Sequence, residues 1–300
     1  MEAAIELDHL SKSYGRRRGL VDLSLQVRRG EVFGYLGPNG AGKSTTIRLL
    51  LDLIRPDGGR ARVLGLDPRR DAVAVHRRVG YLAGDFVVDP RQCVDECLTF
   101  LANLRGGVPR DRISDLAEQL DLELPARIKT LSKGNRQKVG LVQAFMHRPE
   151  LLILDEPTSG LDPLVQQTFL RLVTEARAAG QTVLMSSHVM SEVERVADRV
   201  GIIREGRLIA LDTVAGLRDR AVRTMRITFA EPPPVDEFAG LPGVGDLRLD
   251  GAVLHCRVAG SPDALLKAVA QHTVIDLLSE EPDLEDLFLT FYEGRDRVAA

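Results

Sequence analysis

Gly37-Pro38-Asn39-Gly40-Ala41-Gly42-Lys43-Ser44-Thr45 spells G-x-x-x-x-G-K-S, and its surroundings decide how the rest of the chain is read. A short apolar run, Glu31-Val32-Phe33-Gly34-Tyr35-Leu36, precedes it, and the periodic stretch Thr46-Ile47-Arg48-Leu49-Leu50-Leu51 follows. Strand, glycine turn and helix in that order make a phosphate loop. Glycines let the backbone curl until successive amides point inward at phosphate oxygens, and the helix N-terminus adds a partial positive charge. Lys43 then reaches the β- and γ-phosphates, the Ser44 hydroxyl ligates Mg²⁺, and Thr45 adds a neighbouring hydroxyl. A chance lysine after a glycine turn would lack the flanking strand and helix.

The second decisive stretch is Leu151-Leu152-Ile153-Leu154-Asp155-Glu156-Pro157, a continuous apolar strand that delivers two carboxylates at its end. Ligands of open α/β sheets bind at the carboxyl ends of strands. Asp155 suits Mg²⁺, directly or through water. Adjacent strand residues face opposite ways, so Glu156 is expected to point elsewhere and to act as general base on the attacking water.

Around these motifs the chain reads as two domains. Its 300 residues are 44% apolar and 28% charged, a globular balance. Alternating segments at Ala4–Leu10 and Leu23–Val27 predict an antiparallel flank. From about Asp85 to Pro149 the pattern is helical, with Ile113, Leu116, Ala117 and Leu120 on one face, which predicts an inserted helical subdomain. Leu151–Leu154 and Thr182–Ser186 are strands apolar on both faces, separated by a helix from Val165 to Ala179 that stops at Gly180.

After Gly216, Pro232-Pro233-Pro234 and Gly240, Pro242, Gly243 and Gly245 mark loops among shorter elements. The order is strand (Thr224–Phe229), weak helix (Asp236–Leu241), two strands (Gly245–Leu249 and Val253–Val258), helix (Asp263–Gln271) and strand (Val274–Leu278). A final helix from about Asp283 carries a Leu284, Leu287, Phe288 and Phe291 stripe. That order resembles a ferredoxin-like split βαβ unit. The expected fold is therefore an α/β phosphate-loop domain over residues 1–215, with its helical subdomain at about 85–150. A small α+β domain follows over residues 216–300.

Several function classes fall away on composition. The net charge of −3 argues against electrostatically driven nucleic-acid binding. Residues 221–300 hold 14 acidic against 7 basic side chains, which serves solubility. No run approaches the roughly 18 apolar residues that cross a bilayer, and Met1-Glu2-Ala3-Ala4 does not begin a secretion signal. Cys93, Cys97 and Cys256 form no C-x-x-C pair, so a reducing compartment is expected, with Cys93 and Cys97 as buried apolar fillers.

Leu131-Ser132-Lys133-Gly134-Asn135 stands 89 residues after Lys43 and 23 before Asp155. Ser132 can cap the next helix while its hydroxyl and the Gly134 amide face a phosphate. In this place the pentapeptide resembles the signature of the ATP-binding-cassette family, usually written LSGGQ, from which Lys133 and Asn135 depart. Ser159-Gly160-Leu161-Asp162 is similar to that family's D-loop, and His188 to its switch histidine, which senses the γ-phosphate. Tyr14 matches the aromatic that stacks on adenine. Ala83-Gly84-Asp85 stands where the family usually has a glutamine, with Asp85 a candidate for metal or water positioning.

The resemblance covers residues 4 to about 215 and implies an ATPase using ATP and Mg²⁺. It implies a head-to-tail homodimer sandwiching two ATP, the signature of one copy completing the site of the other. It further implies a separate transmembrane permease and a cytoplasmic subunit peripheral to the inner face of the membrane. Asp283-Leu284-Glu285-Asp286-Leu287-Phe288-Leu289 looks like the tail of daunorubicin-resistance-type exporter ATPases and favours export. A cassette acting on a non-membrane partner is the alternative, but 89 residues leave no room for a DNA-maintenance coiled coil, and ribosome-associated relatives carry two cassettes. Glu156 and His188 disfavour a module that only holds ATP.

Overall fold

The computed structural model describes residues 2–15, 17–220 and 222–280. Two compact units divide the chain, Met1–Leu211 and Asp212–Ala300. The first runs β1 (Ala3–Tyr14), β2 (Arg17–Arg28), β3 (Val32–Leu36), α1 (Lys43–Leu50), β4 (Gly58–Val63), α2 (Ala72–Arg78) and β5 (Val79–Leu82). Three helices follow, α3 (Val94–Leu104), α4 (Arg110–Gln119) and α5 (Lys133–Phe145). Then come β6 (Leu151–Asp155), α6 (Pro163–Ala178), β7 (Thr182–Ser187), α7 (Met190–Glu194), β8 (Arg199–Arg204) and β9 (Arg207–Thr213).

Two sheets build this unit. β2, β1 and β4 form an antiparallel sheet, and β5-β6-β7-β3-β8-β9 form a second whose first five strands are mutually parallel. Every residue of β3, β6 and β7 is buried, as continuous apolar strands in a covered sheet require. Each fully buried Val, Leu, Ile or Phe side chain contributes roughly 1.5–3 kcal/mol, so these central strands are the best-anchored parts of the unit. The antiparallel flank and the helical insertion stand as the alternation and the 3.6-residue period predict. Ile113, Leu116, Ala117 and Leu120 are all buried.

Among the described residues the second unit contains α8 (Val214–Arg220), β10 (Val222–Phe229), β11 (Val244–Asp250), β12 (Val253–Ala259), α9 (Asp263–Val269) and β13 (Val274–Glu280). Its antiparallel sheet runs β11-β12-β10-β13. That order is the split βαβ arrangement in which the third strand inserts between the first two. The weak helix expected over Asp236–Leu241 is only a 3₁₀ turn at Val235–Glu237. Pro232-Pro233-Pro234 and Gly240 bracket a segment too short to repay helix nucleation. Phe238 is nevertheless fully buried, its ring centroid 5.9 Å from that of Phe229. The final helix expected from Asp283 lies outside the described residues.

Cys97 and Cys256 are buried, whereas Cys93 is half-buried and precedes α3. There its amide donates to Glu96 Oε2 at 2.9 Å, so Cys93 marks a helix start rather than filling the core. No helix among the described residues is long and apolar enough to cross a membrane.

His147, just beyond α5, donates from Nε2 to Val79 O at 3.3 Å. Burial, then the nearby Arg105 guanidinium, pushes its pKa down from 6.5 to about 4. An unfolded histidine titrates near 6.5, so between these values the unfolded chain binds more protons. The stability present above about pH 6.5 is therefore lost as pH falls towards 4. Urea unfolding of His147→Gln should show a shallower fall over that window than the wild type; parallel falls would contradict the assignment.

Candidate functional site

The parallel register brings three strand ends together. Leu36 pairs with Ser187, and Asp155 pairs with Ser186, so the segments after β3, β6 and β7 emerge side by side. Those segments are the Gly37–Lys43 loop, Glu156 and His188.

In the loop, Gly37 donates to Ser187 O at 3.2 Å, and Ala41 donates to Pro38 O at 3.1 Å. Pro38, Asn39 and Gly40 are exposed, and Ala41 is buried. Gly42 caps α1 at φ 115°, and a Cβ there would lie 2.8 Å from Gly19 O, so both backbone angle and space demand glycine. Thr46 donates to Gly42 O at 2.9 Å, while the first-turn amides of Lys43, Ser44 and Thr45 precede any intrahelical partner. Ser44 and Thr45 are half-buried on that turn. Tyr14, Gly19, Pro38, Asn39, Gly40, Gly42, Lys43, Ser44, Thr45 and Glu156 line one cleft of about 370 Å³.

Two residues lining this cleft, Lys43 and Glu156, form a chain of charged or titratable groups with His188. Lys43 is 5% exposed; its Nζ donates to Gly37 O at 2.5 Å and lies 3.0 Å from Glu156 Oε1. Glu156 Oε2 lies 2.7 Å from His188 Nδ1. Oε1 is buried with no hydrogen-bond partner, so Lys43 holds it as an ion pair only. For Nδ1 to donate to the carboxylate, the ring's Nε2 is an acceptor unless the imidazole also carries its second proton.

Glu156 owes its direction to something other than strand alternation. β6 ends at Asp155, and Glu156 takes a left-handed backbone at φ 49°, a conformation costing on the order of 1–3 kcal/mol for a non-glycine residue. Two side chains hold this turn. Glu156 N donates to Ser186 Oγ at 3.1 Å, and Gln137 Nε2 donates to both Glu156 O and Pro157 O at 3.2 Å. Neither Ser186 nor Gln137 is singled out by the sequence motifs, although Ser186 closes a strand whose neighbour ends in the two carboxylates.

Asp155 is 4% exposed and accepts from Ser186 Oγ at 2.6 Å. Gly84 sits against it, since a Cβ there would lie 3.4 Å from Asp155 Oδ2. Asp85 is exposed. The hard oxygens of Asp155 and Ser44 are the donor type that Mg²⁺ takes.

Ser132 caps α5, its Oγ accepting from Asn135 N at 3.1 Å, and its side chain is exposed. Gly134 meets Gly160 so closely that a Cβ would stand 2.3 Å from Gly160 O. Lys133, where the family pattern has glycine, donates to Ser159 Oγ at 3.1 Å. Asp162 caps α6 by accepting from Leu164 N and Val165 N at 3.1 and 3.0 Å, and these bonds, Val165's first, hold its carboxyl below the usual range. Tyr14 is half-exposed beneath Lys12, whose Nζ lies 5.9 Å from the ring centroid.

The profile of the family described as ABC transporter matches residues 20–159. Nod factor export ATP-binding protein I of Paraburkholderia xenovorans is 36% identical over 296 residues, spanning 96% of each chain. Linearmycin resistance ATP-binding protein LnrL of Bacillus subtilis is 32% identical over 303 residues, 95% of this chain and 97% of that one. A solved structure described as the ATP binding subunit of an ABC transporter superposes with a TM-score of 0.66 at 32% identity, covering 72% of this chain and 92% of that one.

Gly134→Ala should force α5 away from the Ser159-Gly160 turn and cost roughly 1–3 kcal/mol. Chemical denaturation measures it, and wild-type stability would contradict the contact.

Proposed function

The chain belongs to the ABC transporter family as one of its ATP-binding ATPase subunits, and from that premise we propose that it hydrolyses ATP at the Lys43, Glu156 and His188 cluster to drive export through a separate membrane permease. One observation carries the proposal: Glu156 projects into the phosphate-loop cleft between Lys43 and His188.

In this reading the amides from Gly40 to Thr45 and the ammonium of Lys43 bind the phosphates, Gly37, Pro38 and Asn39 shape the loop, and Tyr14 stacks on adenine. Lys43 leaves its ion pair with Glu156 to meet phosphate oxygens. That exchange frees the carboxylate from its ion pair with the ammonium 3.0 Å away. Glu156 then accepts a proton from the attacking water. His188, orienting the same carboxylate, donates from Nε2 to the γ-phosphate when doubly protonated. Ser44 and Asp155 would hold Mg²⁺, which would offset the negative charge of the phosphates during transfer.

Exposed Ser132, with Gly134, serves the nucleotide of a second copy in a twofold ATP-sandwiched homodimer, with Asp162 at the same junction. The names of the two relatives that align along nearly the whole chain, export in one and resistance in the other, support outward transport of a drug, lipid or other small molecule. The ATPase work belongs to residues 1–215 and an accessory role to residues 216–300, with the subunit on the cytoplasmic face of the membrane.

Glu156→Gln should keep ATP binding, lower turnover by about 10²–10⁴-fold and accumulate an ATP-bound dimer on size exclusion. Unchanged ATPase activity would reject the base. Lys43→Ala should weaken nucleotide binding by about tenfold or more, the value of a hydrogen bond to a charged group. Titration with fluorescent ATP reads this directly, and unaltered affinity would count against the lysine's phosphate role.

A further inference from the structure

We propose that Gln137 is a positioning residue for Glu156, its buried side-chain amide fixing the left-handed turn from which the base projects. The proposal rests on Glu156 being the base. Gln137 lies on α5, five residues after the cap Ser132, and is 3% exposed. Its amide nitrogen has two hydrogens, and the two carbonyls within reach, Glu156 O and Pro157 O, are both 3.2 Å away. From the other side Ser186 Oγ accepts from Glu156 N and donates to Asp155 Oδ1. The strained residue is thus held at both its amide and its carbonyl.

Relaxing Glu156 to an extended or right-handed backbone would swing its side chain out of reach of Lys43 and His188. The opposing cost of φ 49° is offset by these hydrogen bonds. Because Lys133 bonds Ser159 and Gly134 abuts Gly160, α5 grips the Glu156–Asp162 segment at three places. A shift of the helix that Ser132 caps therefore reaches the carboxylate through Gln137.

The test compares Gln137→Met, which keeps an unbranched chain of similar length and removes the donor, with Val139→Ala, a core truncation on the same helix. Steady-state ATPase, thermal melting and the double variant Gln137→Met/Glu156→Gln complete the set. Gln137→Met should lower kcat about tenfold or more with KM for ATP within about twofold, while Val139→Ala, though it also melts earlier, keeps kcat within about twofold. In single-turnover assays the double variant should be no slower than Glu156→Gln alone. Wild-type kcat in Gln137→Met, an equal kcat loss in Val139→Ala, or a further loss in the double variant would each overturn the proposal. Wild-type turnover in Glu156→Gln would remove the base assignment and this proposal with it, a failure visible without the Gln137 variants.

Discussion

Parallel hydrogen bonding among β6, β7 and β3 fixes where everything else in the site stands. Because Leu36 is level with Ser187 and Asp155 with Ser186, three strands end at one edge of the sheet, and the chain leaves each end carrying a different chemical group. A loop of amides, a carboxylate pair and an imidazole meet there without any one segment being long enough to span the site. The strands hold that alignment because they are buried on both faces, so slipping the register would unseat close-packed side chains on both sides of the sheet.

Within the aligned edge, one carboxylate serves two partners. Glu156 gives one oxygen to the Lys43 ammonium and the other to the His188 ring. Lys43 also donates to the loop carbonyl of Gly37, so a cation that phosphate oxygens would attract is already satisfied by the protein. On the proposed function, binding at this loop would be an exchange of partners that changes the charge beside Glu156 at the same moment. The local backbone strain keeps the carboxylate aimed at that junction, and Ser186 and Gln137 bear its cost.

The central strands and the phosphate loop are legible in the sequence because their signals are local: apolar runs, glycines at fixed offsets, and a lysine and serine opening a helix. Lys43, Glu156 and His188 come into contact from different elements, Lys43 from the start of α1 and the other two from just beyond the ends of β6 and β7. The direction of Glu156 is another matter. Alternation along a strand predicts that it faces away from Asp155, yet the strand has ended and a positive φ sets its aim. No periodicity encodes that angle, and the Gln137 amide that holds it lies 19 residues away. In the second unit the βαββαβ order and its strand pairing follow the pattern, while the segment between Pro234 and Gly240 shortens to one 3₁₀ turn. There the pattern of Phe238 marks burial, which a turn satisfies as well as a helix.

Calorimetric titration of the purified chain with ATP, in the presence of Mg²⁺ and then with the ion chelated, tests the central claim most directly. The account predicts one saturable ATP site per chain whose affinity falls about tenfold or more when the ion is removed, the value of losing a charge-assisted contact. Heat of binding that is absent, or indifferent to Mg²⁺, would contradict it.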